Sequence, residues 1–526
     1  MSVGLFKKKR RKFPVDFSKA VKEQEQEPKV KNDKLSKVLV LNIKRFEELF
    51  HYPTNDALKF RKLFLPSIER KATVLFVTGT VNTQLINDHI IRPLIESTQK
   101  PTDKSDLINE VKNNILTISG GKIISTFDEA VQILLNGSTV ILIDGEQYAI
   151  AVDTTGFEKR SISESTTETV VKGPKSAFVE SAEVNLSLIR RQLKDHRLIT
   201  EVVTVGNEAP QEVSILYVNN IVDDQLVENV KKRLSEVNRD AILTLSVLEE
   251  LIEERPYSLF PSCLSTERPD RTCSLLLEGH VVLLMDNSPD ALVMPVTFWS
   301  LFHTAEDQFL RWAYGNFARI IRLISLLIAM LMPAIFLAVT TFHPEMIPTD
   351  LMLAISGTRE RIPFPTLWEI ILMEVTFEIL REAGIRVPTP LGATIGIVGA
   401  LILGQAAVEA NLVSPILVIV VSITGLSSFA IPDIGLSVIV RILRFGFLFA
   451  ANFLGFIGIA LGLAALLAYS TSITSFGVPF FSPLAPYSPS SHDMFWRSTI
   501  SRQWLRPLSM NPKQKVRAKP KGDTNS

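Results

Sequence analysis

The chain has 526 residues, enough for two or three compact domains, and its 56 Lys and Arg against 55 Asp and Glu give a formal net charge of +1. This balance hides an uneven distribution, because residues 1–316 are rich in charged side chains whereas long uncharged runs begin at Leu323. The two cysteines, Cys263 and Cys273, lack a second pair and histidines at ligand spacing, which argues against a zinc site. No Ser/His/Asp arrangement or catalytic carboxylate pair emerges. The sequence therefore predicts neither an enzyme nor a bound metal or cofactor, and no nucleic-acid partner.

The N-terminal tail, residues 1–34, is polar and basic. Its first twelve residues, MSVGLFKKKRRK, hold six basic side chains, and no apolar stretch of the kind found in secretory signals follows them. We therefore expect a disordered tail that does not cross a membrane. Two interpretations of the basic run stay open at this point: it is solvated, or it contacts anionic lipid headgroups.

Residues 35–200 alternate between apolar, β-branched runs and amphipathic segments, which predicts a first α/β subdomain. Two of the runs meet at Asp144-Gly145, a turn signal typical of β-hairpins. The predicted strands are 71–79, 121–125, 138–145 and 146–154, and the predicted helices are 35–50, 84–95, 127–135 and 176–195.

Residues 201–300 show the same alternation and are predicted to form a second α/β subdomain. The segment 223–240 is predicted as its helix, because five apolar side chains recur there at helical spacing. These are Leu226, Val227, Val230, Leu234 and Val237, and the predicted strands are 201–206, 212–218, 281–286 and 291–296.

From Leu323 onward the pattern is typical of a membrane protein. A hydrocarbon core about 30 Å thick needs about 20 apolar residues at a helical rise of about 1.5 Å per residue. Runs of about this length occupy 323–342, 391–408, 410–432 and 447–470. The sequence predicts a linker helix over 301–322, followed by an α-helical, multi-pass membrane domain over 323–470 with at least four spans.

Basic residues beside the spans indicate their orientation. Arg311, Arg319 and Arg322 precede the first span, and the tail 471–526 holds eight Lys and Arg against two Asp. The N-terminal domain and this basic tail are therefore both expected in the cytosol, which requires an even number of crossings.

Two basic residues fit this orientation poorly. With four spans, Arg441 and Arg444 fall on the outer side of the membrane. A short re-entrant or interfacial segment between Pro432 and Arg444 is one explanation.

Three segments form a pattern that is specific when they are taken together. They are ETVVKGPKSAFVESAEVNLSLIRRQL (168–193), STERPD (265–270) with EGHVVLLMDNSPDALVMP (278–295), and FHPEMIP (342–348) with REAGIRVPTPLGATIGIVGALILGQAAVEANLVSP (381–415). In this order and spacing, over about residues 140–510, the chain resembles the A subunit of GerA-type spore germinant receptors.

The resemblance implies a subunit of a nutrient-sensing complex in the inner membrane of bacterial spores. It also implies the partners of such a subunit: a transporter-like B subunit, a lipid-anchored C subunit, and further copies of the chain itself in a homo-oligomeric, ion-conducting ring, all surrounded by membrane lipid. Nutrient recognition is then expected mainly in the B subunit.

A predicted helix over 394–412 has two unlike faces. At 100° per residue, one face groups Thr394, Val398, Leu401, Gln405 and Glu409, and the opposite face groups Gly392, Gly396 and Gly399. The glycine face permits close helix packing. A charged group in such a helix usually faces protein or water, so Glu409 is either a pore or vestibule carboxylate or a salt-bridged interface residue.

The segment 365–386 is a further predicted helix, with interfacial acidic and basic residues Glu374, Glu378, Arg381 and Glu382. Glu374 and Glu378 repel each other at i,i+4, whereas Glu378 and Arg381 can pair at i,i+3. The helix either lies amphipathically in the membrane interface or forms a cation-attracting ring when copies assemble.

These features favour a germinant-receptor membrane subunit that triggers germination and self-assembles into a ligand-gated ion channel. The alternative is a non-conducting scaffold or signalling subunit of the same complex. A secondary transporter fits less well, because the sequence shows no inverted repeat.

Overall fold

The computed structural model describes residues 33–97, 107–118, 120–156, 165, 167–386, 404–488, 493 and 495–518. Along the chain these residues form a first α/β unit, a second α/β unit and a helical part. A C-terminal segment then returns to the second unit.

The first unit is built on a five-stranded sheet with the strand order β1-β2-β4-β5-β3, in which all neighbouring strands are antiparallel. Its strands are β1 (Leu58–Leu65), β2 (Arg70–Val77), β3 (Lys122–Ile124), β4 (Ser138–Ile143) and β5 (Ala149–Asp153). Its helices are α1 (Leu39–Leu49), α2 (Thr83–Ile86), α3 (Arg92–Glu96), α4 (Leu107–Glu110) and α5 (Phe127–Leu135), with π-helical turns at Asn87–Ile91 and Val111–Ile115. Helices cover both faces of the sheet, so β4 is buried along nearly all its length.

The second unit repeats this architecture with the strand order β6-β7-β9-β10-β8, again antiparallel throughout. Its strands are β6 (Leu198–Val205), β7 (Gln211–Val218), β8 (Leu264–Thr266), β9 (Val281–Met285) and β10 (Ala291–Met294). Its helices are α6 (Ala182–Gln192), α7 (Asp224–Ser235), α8 (Leu245–Ile252) and α9 (Pro269–Leu276). Each strand begins 140 to 143 residues after its counterpart in the first unit, so the two units are structural repeats.

The sequence predicted the α/β character of both units, and β4 and β5 pair across the turn at Asp144-Gly145 as expected. It missed β1, an edge strand whose middle is charged and exposed. The predicted division after residue 200 falls inside β6. Because α6 packs on the second sheet, as α1 does on the first, the second unit begins before residue 201.

The helical part follows two short helices, α10 (Phe298–Phe302) and α11 (Glu306–Phe309). It contains α12 (Trp312–Phe342), α13 (Thr349–Arg359), α14 (Thr366–Arg386), a helical stretch at 404–409, α15 (Pro415–Phe429) and α16 (Ile434–Ser472). Within the described residues, α12 and α16 are long and apolar enough to cross a membrane, and α15 is a shorter apolar helix.

Three of the four predicted spans overlap helices of the structure, but of these only 323–342 lies in one uninterrupted helix long enough to cross a membrane. The run 323–342 lies within α12, which already begins at Trp312, so the second half of the predicted linker helix is part of α12. The run 410–432 contains α15, which is too short to be a candidate span, and the run 447–470 lies within α16 but is interrupted by the non-helical residue Gly455, so it is not one straight span. Most of the run 391–408 lies outside the described residues.

The chain reverses direction within α16, at Gly455. The backbone there has φ 57° and ψ −134°, which is not helical. A Cβ placed on Gly462 would lie 2.8 Å from the Phe447 ring. These two residues would be about 22 Å apart along a straight helix. Helix α16 is therefore a hairpin with a first arm (434–454) and a second arm (456–472).

The hairpin positions both ends of the helical part. Its tip meets the end of α12, where the His343 and Phe456 rings lie 5.2 Å apart. At the other end, Tyr469 Oη accepts a hydrogen bond from Leu259 N of the second unit at 3.2 Å. The described C-terminal residues that follow contact the second unit and the base of α12.

Replacing Gly455 by alanine should lower the free energy of unfolding by about 1–3 kcal/mol. A side chain there would adopt a backbone conformation that is nearly exclusive to glycine, and it would approach the Phe342 ring to 3.1 Å. Unfolding of the purified protein in detergent measures this effect. Gly446→Ala is the matched control, because a Cβ there meets nothing within 4 Å. Equal stability of the two variants would contradict a reversal at Gly455.

Candidate functional site

Five charged side chains meet inside the helical part and form what we term the helical charge network: Glu374, Glu378 and Arg381 on α14, and Arg441 and Arg444 on the first arm of α16. Glu374 and Arg444 form an ion pair in which the side chains are 0% and 1% exposed. Glu378 Oε2 lies 2.6 Å from Arg441 Nη1, and Glu378 Oε1 lies 3.8 Å from Arg444 Nη2.

The pairing follows from helix geometry. Glu374 and Glu378 are four residues apart on α14, and Arg444 and Arg441 are three apart on α16, so each pair lies on one helix face. The two helices run in opposite directions, which brings the faces together in register. Buried ions are strongly destabilising unless they are paired, so this network fixes how α14 packs on α16.

Arg381 joins α14 to α15. Its guanidinium carbon lies 4.4 Å from the centre of the Phe429 ring and 5.4 Å from that of Phe377, and it donates a hydrogen bond to Ser428 Oγ. Its Nη1 lies 3.9 Å from Glu378 Oε1. These are the two residues whose i,i+3 spacing in the sequence allows them to pair. A cation over aromatic rings is stabilised electrostatically, and more strongly when it is desolvated.

The remaining acidic residues of α14 have different surroundings. Glu382 is exposed and pairs with Arg386 at 2.7 Å. Glu369, 1% exposed, accepts a hydrogen bond from Ser414 N at 2.5 Å, just before α15 begins. The sequence did not identify Arg441 and Arg444 as the partners of the α14 carboxylates. The sequence did contain a signal for this pairing: two arginines lie three residues apart in one apolar helix, and two glutamates lie four residues apart in another.

The predicted pore helix is only partly described. Gln405 Nε2 donates to Glu409 Oε1 at 3.2 Å, and both side chains are exposed in the single chain. The other predicted pore-lining residues, Thr394, Val398 and Leu401, and the packing glycines Gly392, Gly396 and Gly399 lie outside the described residues.

A second group of charges, which we term the junction network, lies where α12 leaves the α/β units. Asp307, 1% exposed, accepts a hydrogen bond from Arg319 Nε at 3.1 Å and another from Arg322. Arg319 also pairs with Asp493 of the C-terminal segment at 2.5 Å. The fifth member, Arg497, donates to the backbone oxygen of Leu310 at 3.1 Å and to that of Asp307.

The junction network holds three stretches of chain together: the α11 region, the base of α12 and the C-terminal segment. Asn316 of α12 reinforces it, because Arg497 N donates to Asn316 Oδ1 at 2.7 Å. Burial raises the pKa of Asp307, but the hydrogen bond and positive charge of Arg322, with the charge of Arg319, outweigh it and hold the pKa below its usual range. Asp307 is therefore ionised at neutral pH, and its negative charge offsets the positive charges at the base of α12.

An apolar core continues across the same junction. The Phe260 ring of the second unit lies 5.0 Å from that of Phe480 in the C-terminal segment, and Phe480 in turn lies 6.4 Å from Phe298 of α10. One buried cluster includes these regions together with α12 and α16. The second unit and the helices thus share one apolar core.

The described residues contain no group of three or more His, Cys, Asp or Glu that would hold a metal ion. The members of the helical charge network instead pair with one another. Their arrangement suits a structural or conformational role within packed helices.

The chain is similar in sequence to known proteins over most of its length. A family model described as the Bacillus/Clostridium GerA spore germination protein matches residues 44–509. The chain is 37% identical over 445 residues to spore germination protein KA of Bacillus subtilis (strain 168), covering 84% of this chain and 81% of that protein. It is 36% identical over 435 residues to the uncharacterized membrane protein YfkQ of the same organism, covering 82% and 84%.

Among solved structures, the N-terminal domain of the A subunit of the Bacillus megaterium spore germinant receptor GerK3 aligns with 51% of this chain and 98% of that domain, at 24% identity and a TM-score of 0.40. The family match and the similarity to spore germination protein KA together support a role in germination. The chain belongs to the GerA family of spore germination proteins.

Proposed function

We propose that this chain is the membrane subunit of a germinant receptor, and that copies of it assemble into a ring whose centre conducts ions when nutrient is bound. The observation that carries the proposal is the contrast among the carboxylates of the helical part. Glu369, Glu374 and Glu378 are bonded inside the chain and the exposed Glu382 pairs with Arg386, whereas Glu409 is exposed and bonds to the uncharged Gln405 beside it. An exposed carboxylate at the end of an apolar span needs water or another copy beside it, and a ring provides both.

The closed state of the path is proposed to depend on Val398 and Leu401. Apolar side chains that face a narrow lumen exclude water and thereby block ions. The glycines at 392, 396 and 399 would lie on the opposite face of the same helix, where they allow close packing.

Coupling from the α/β units to this path is proposed to run through the junction network and the helical charge network. Glu378 lies near both Arg441 and Arg444, at 2.6 and 3.8 Å, so a small shift of α14 against α16 would exchange its partner. Such an exchange of partner would be a two-state element of the kind that a distant signal can bias.

The proposed orientation puts the α/β units and the C-terminal segment together in the cytosol, with the helices in the inner membrane of the spore. In support, Lys513 of the C-terminal segment pairs with Asp224 at 2.6 Å, and Arg517 pairs with Glu278 at 2.9 Å. Segments in such contact lie on one side of a membrane. A transporter-like B subunit and a lipoprotein C subunit are the further partners of this proposal, and no catalytic step or cofactor is part of it.

Replacing Val398 or Leu401 by serine should raise the resting ion leak of spores about tenfold. Easier wetting that stabilises the open state by about 1.4 kcal/mol would raise its population by that factor. Ion release measured without nutrient tests this. Leu426→Ser is the control, since Leu426 is 70% exposed on α15 outside the predicted pore helix.

Unchanged leakage and unchanged nutrient-triggered release in both pore variants would exclude this helix as the path. It would favour the alternative of a non-conducting scaffold or signalling subunit. Glu409→Gln separates two roles of that residue: reduced cation preference with intact assembly supports a lumenal carboxylate, and a disrupted complex supports an interface residue.

A further inference from the structure

An open groove lies where the C-terminal segment passes the start of α12. Its volume is about 510 Å3, and Trp312, Trp496, Arg497, Thr499, Ser501 and Arg502 are among the residues that line it. Two indole rings, two guanidinium groups and hydroxyls thus face one space. Neither network described above uses the indoles, the hydroxyls or Arg502.

Arg497 supplies an unmatched donor at this groove. The side chain is 3% exposed, and its Nη1 donates to the backbone oxygens of Asp307 and Leu310. Its Nε has no hydrogen-bond partner within the described part of the chain. The guanidinium already has the charges of Asp307 and Asp493 near it, but a buried N–H without a hydrogen-bond partner is destabilising, so a further acceptor, such as an anion, is expected beside it.

The surroundings identify the kind of anion. Trp312 is the first residue of α12, and the exposed apolar side chains Tyr314, Phe317 and Ile321 continue from it towards the predicted span. Tryptophan and tyrosine concentrate at the level of lipid headgroups, where one end of the ring is in an apolar environment and the other is hydrated. In addition, residues 494–522 contain eight Lys and Arg and no Asp or Glu, which favours an anionic membrane surface.

We propose that this groove binds the phosphate group of an anionic phospholipid, with Trp312 and Trp496 at the headgroup level and Arg497 Nε and Arg502 as donors to the phosphate. Guanidinium groups bind phosphate with strong, charge-assisted hydrogen bonds. The inference relies on the proposed orientation of α12 in the membrane. The bound lipid would fix the depth of α12 and hold the C-terminal segment against the membrane surface, next to the junction network.

Lipid retention by the full-length protein tests the proposal. The protein is placed in nanodiscs of phosphatidylcholine with increasing phosphatidylglycerol, and the phospholipid that remains bound is identified by native mass spectrometry. We expect preferential retention of phosphatidylglycerol and about a tenfold loss of its affinity in Arg502→Gln. Arg311→Gln is the matched control: it makes the same charge change on a neighbouring exposed arginine that does not line the groove.

Three results would overturn the assignment: equal retention of both lipids, equal losses in Arg502→Gln and Arg311→Gln, or displacement of the lipid by millimolar inorganic phosphate. Brominated phosphatidylcholine provides an independent readout. Two variants identify the tryptophan that is quenched. Brominated lipid should quench the fluorescence contributed by Trp496, which Trp496→Phe removes, but not that contributed by Trp299, which Trp299→Phe removes, because Trp299 of α10 is only 5% exposed. An unquenched Trp496 would mean that protein, such as a second copy, covers the groove. Ion release measured on Arg502→Gln spores separates failure of this site from failure of the ion path.

Discussion

Replacing Arg444 by leucine should lower the free energy of unfolding by about 3–5 kcal/mol and abolish the nutrient response. The substitution leaves Glu374 buried and unpaired, and breaking a buried ion pair by removing one partner carries a penalty of about this size. The unpaired carboxylate is 0% exposed and has no access to bulk water, so the effect should be close to the upper end. Denaturant-induced unfolding of the purified protein in detergent measures the loss of stability, and germination of variant spores measures the loss of function.

The double variant Glu374→Leu/Arg444→Leu is the decisive control. It removes both charges and leaves two apolar side chains of suitable size, so it should recover most of the stability lost in the single variant. Arg441→Leu should have a smaller effect, because its partner Glu378 is 24% exposed and keeps Arg381 and Arg444 nearby. A double variant no more stable than Arg444→Leu would show that this pair does not hold α14 against α16.

Replacing Asp307 by asparagine should lower the free energy of unfolding by about 3 kcal/mol and uncouple the α/β units from the helices. Asp307 neutralises Arg319 and Arg322 at the base of α12, and both arginines are nearly buried. An amide keeps the shape but removes the charge that pairs with them. Unfolding in detergent measures the stability, and a reduced nutrient response at normal receptor abundance measures the uncoupling. Glu306→Gln is the matched control one residue away.

The pH dependence gives a second test of the same carboxylate. Because the pKa of Asp307 is lowered in the folded protein, its contribution to stability is fully present above its unfolded pKa of about 3.9 and is lost as pH falls through the folded value. The difference between the parent and Asp307→Asn should therefore stay constant from pH 7 to pH 5 and shrink only in stronger acid. A difference that changes near neutral pH would contradict the ionised assignment.

The sequence predicted the α/β units well because their strands are β-branched and bounded by turn signals. The run STVILIDG gave β4 and its turn, and Phe127–Leu135 forms the predicted helix with the same bounds. The repeat of the two units was not predicted, because it resides in the strand order rather than in a visible repetition of residues. Strand β8, three residues long, is too short for any periodic signal.

The charge networks depend on contacts that a linear pattern does not contain. Arg441 and Arg444 stood out as charges on the wrong side of the membrane, and an interfacial segment was one explanation. In the structure both lie on a continuous helical arm and are paired with α14. The partners in the junction network are separated by even more residues along the sequence, since Asp493 follows Arg319 by 174 residues. The reversal at Gly455 was also missed, because an uncharged, glycine-containing run has the same composition whether it is straight or folded back.

Electrical recording of the purified, reconstituted oligomer tests the ion-path proposal most directly. The protein is inserted into planar lipid bilayers as the parent chain, as Val398→Ser and as Glu409→Gln. A ring that conducts ions predicts discrete currents in Val398→Ser without nutrient, mostly closed behaviour of the parent, and weaker cation preference in Glu409→Gln. Bilayers that stay silent for Val398→Ser, although the oligomer is intact and inserted, would contradict an ion path through this helix and leave the scaffold function as the better explanation.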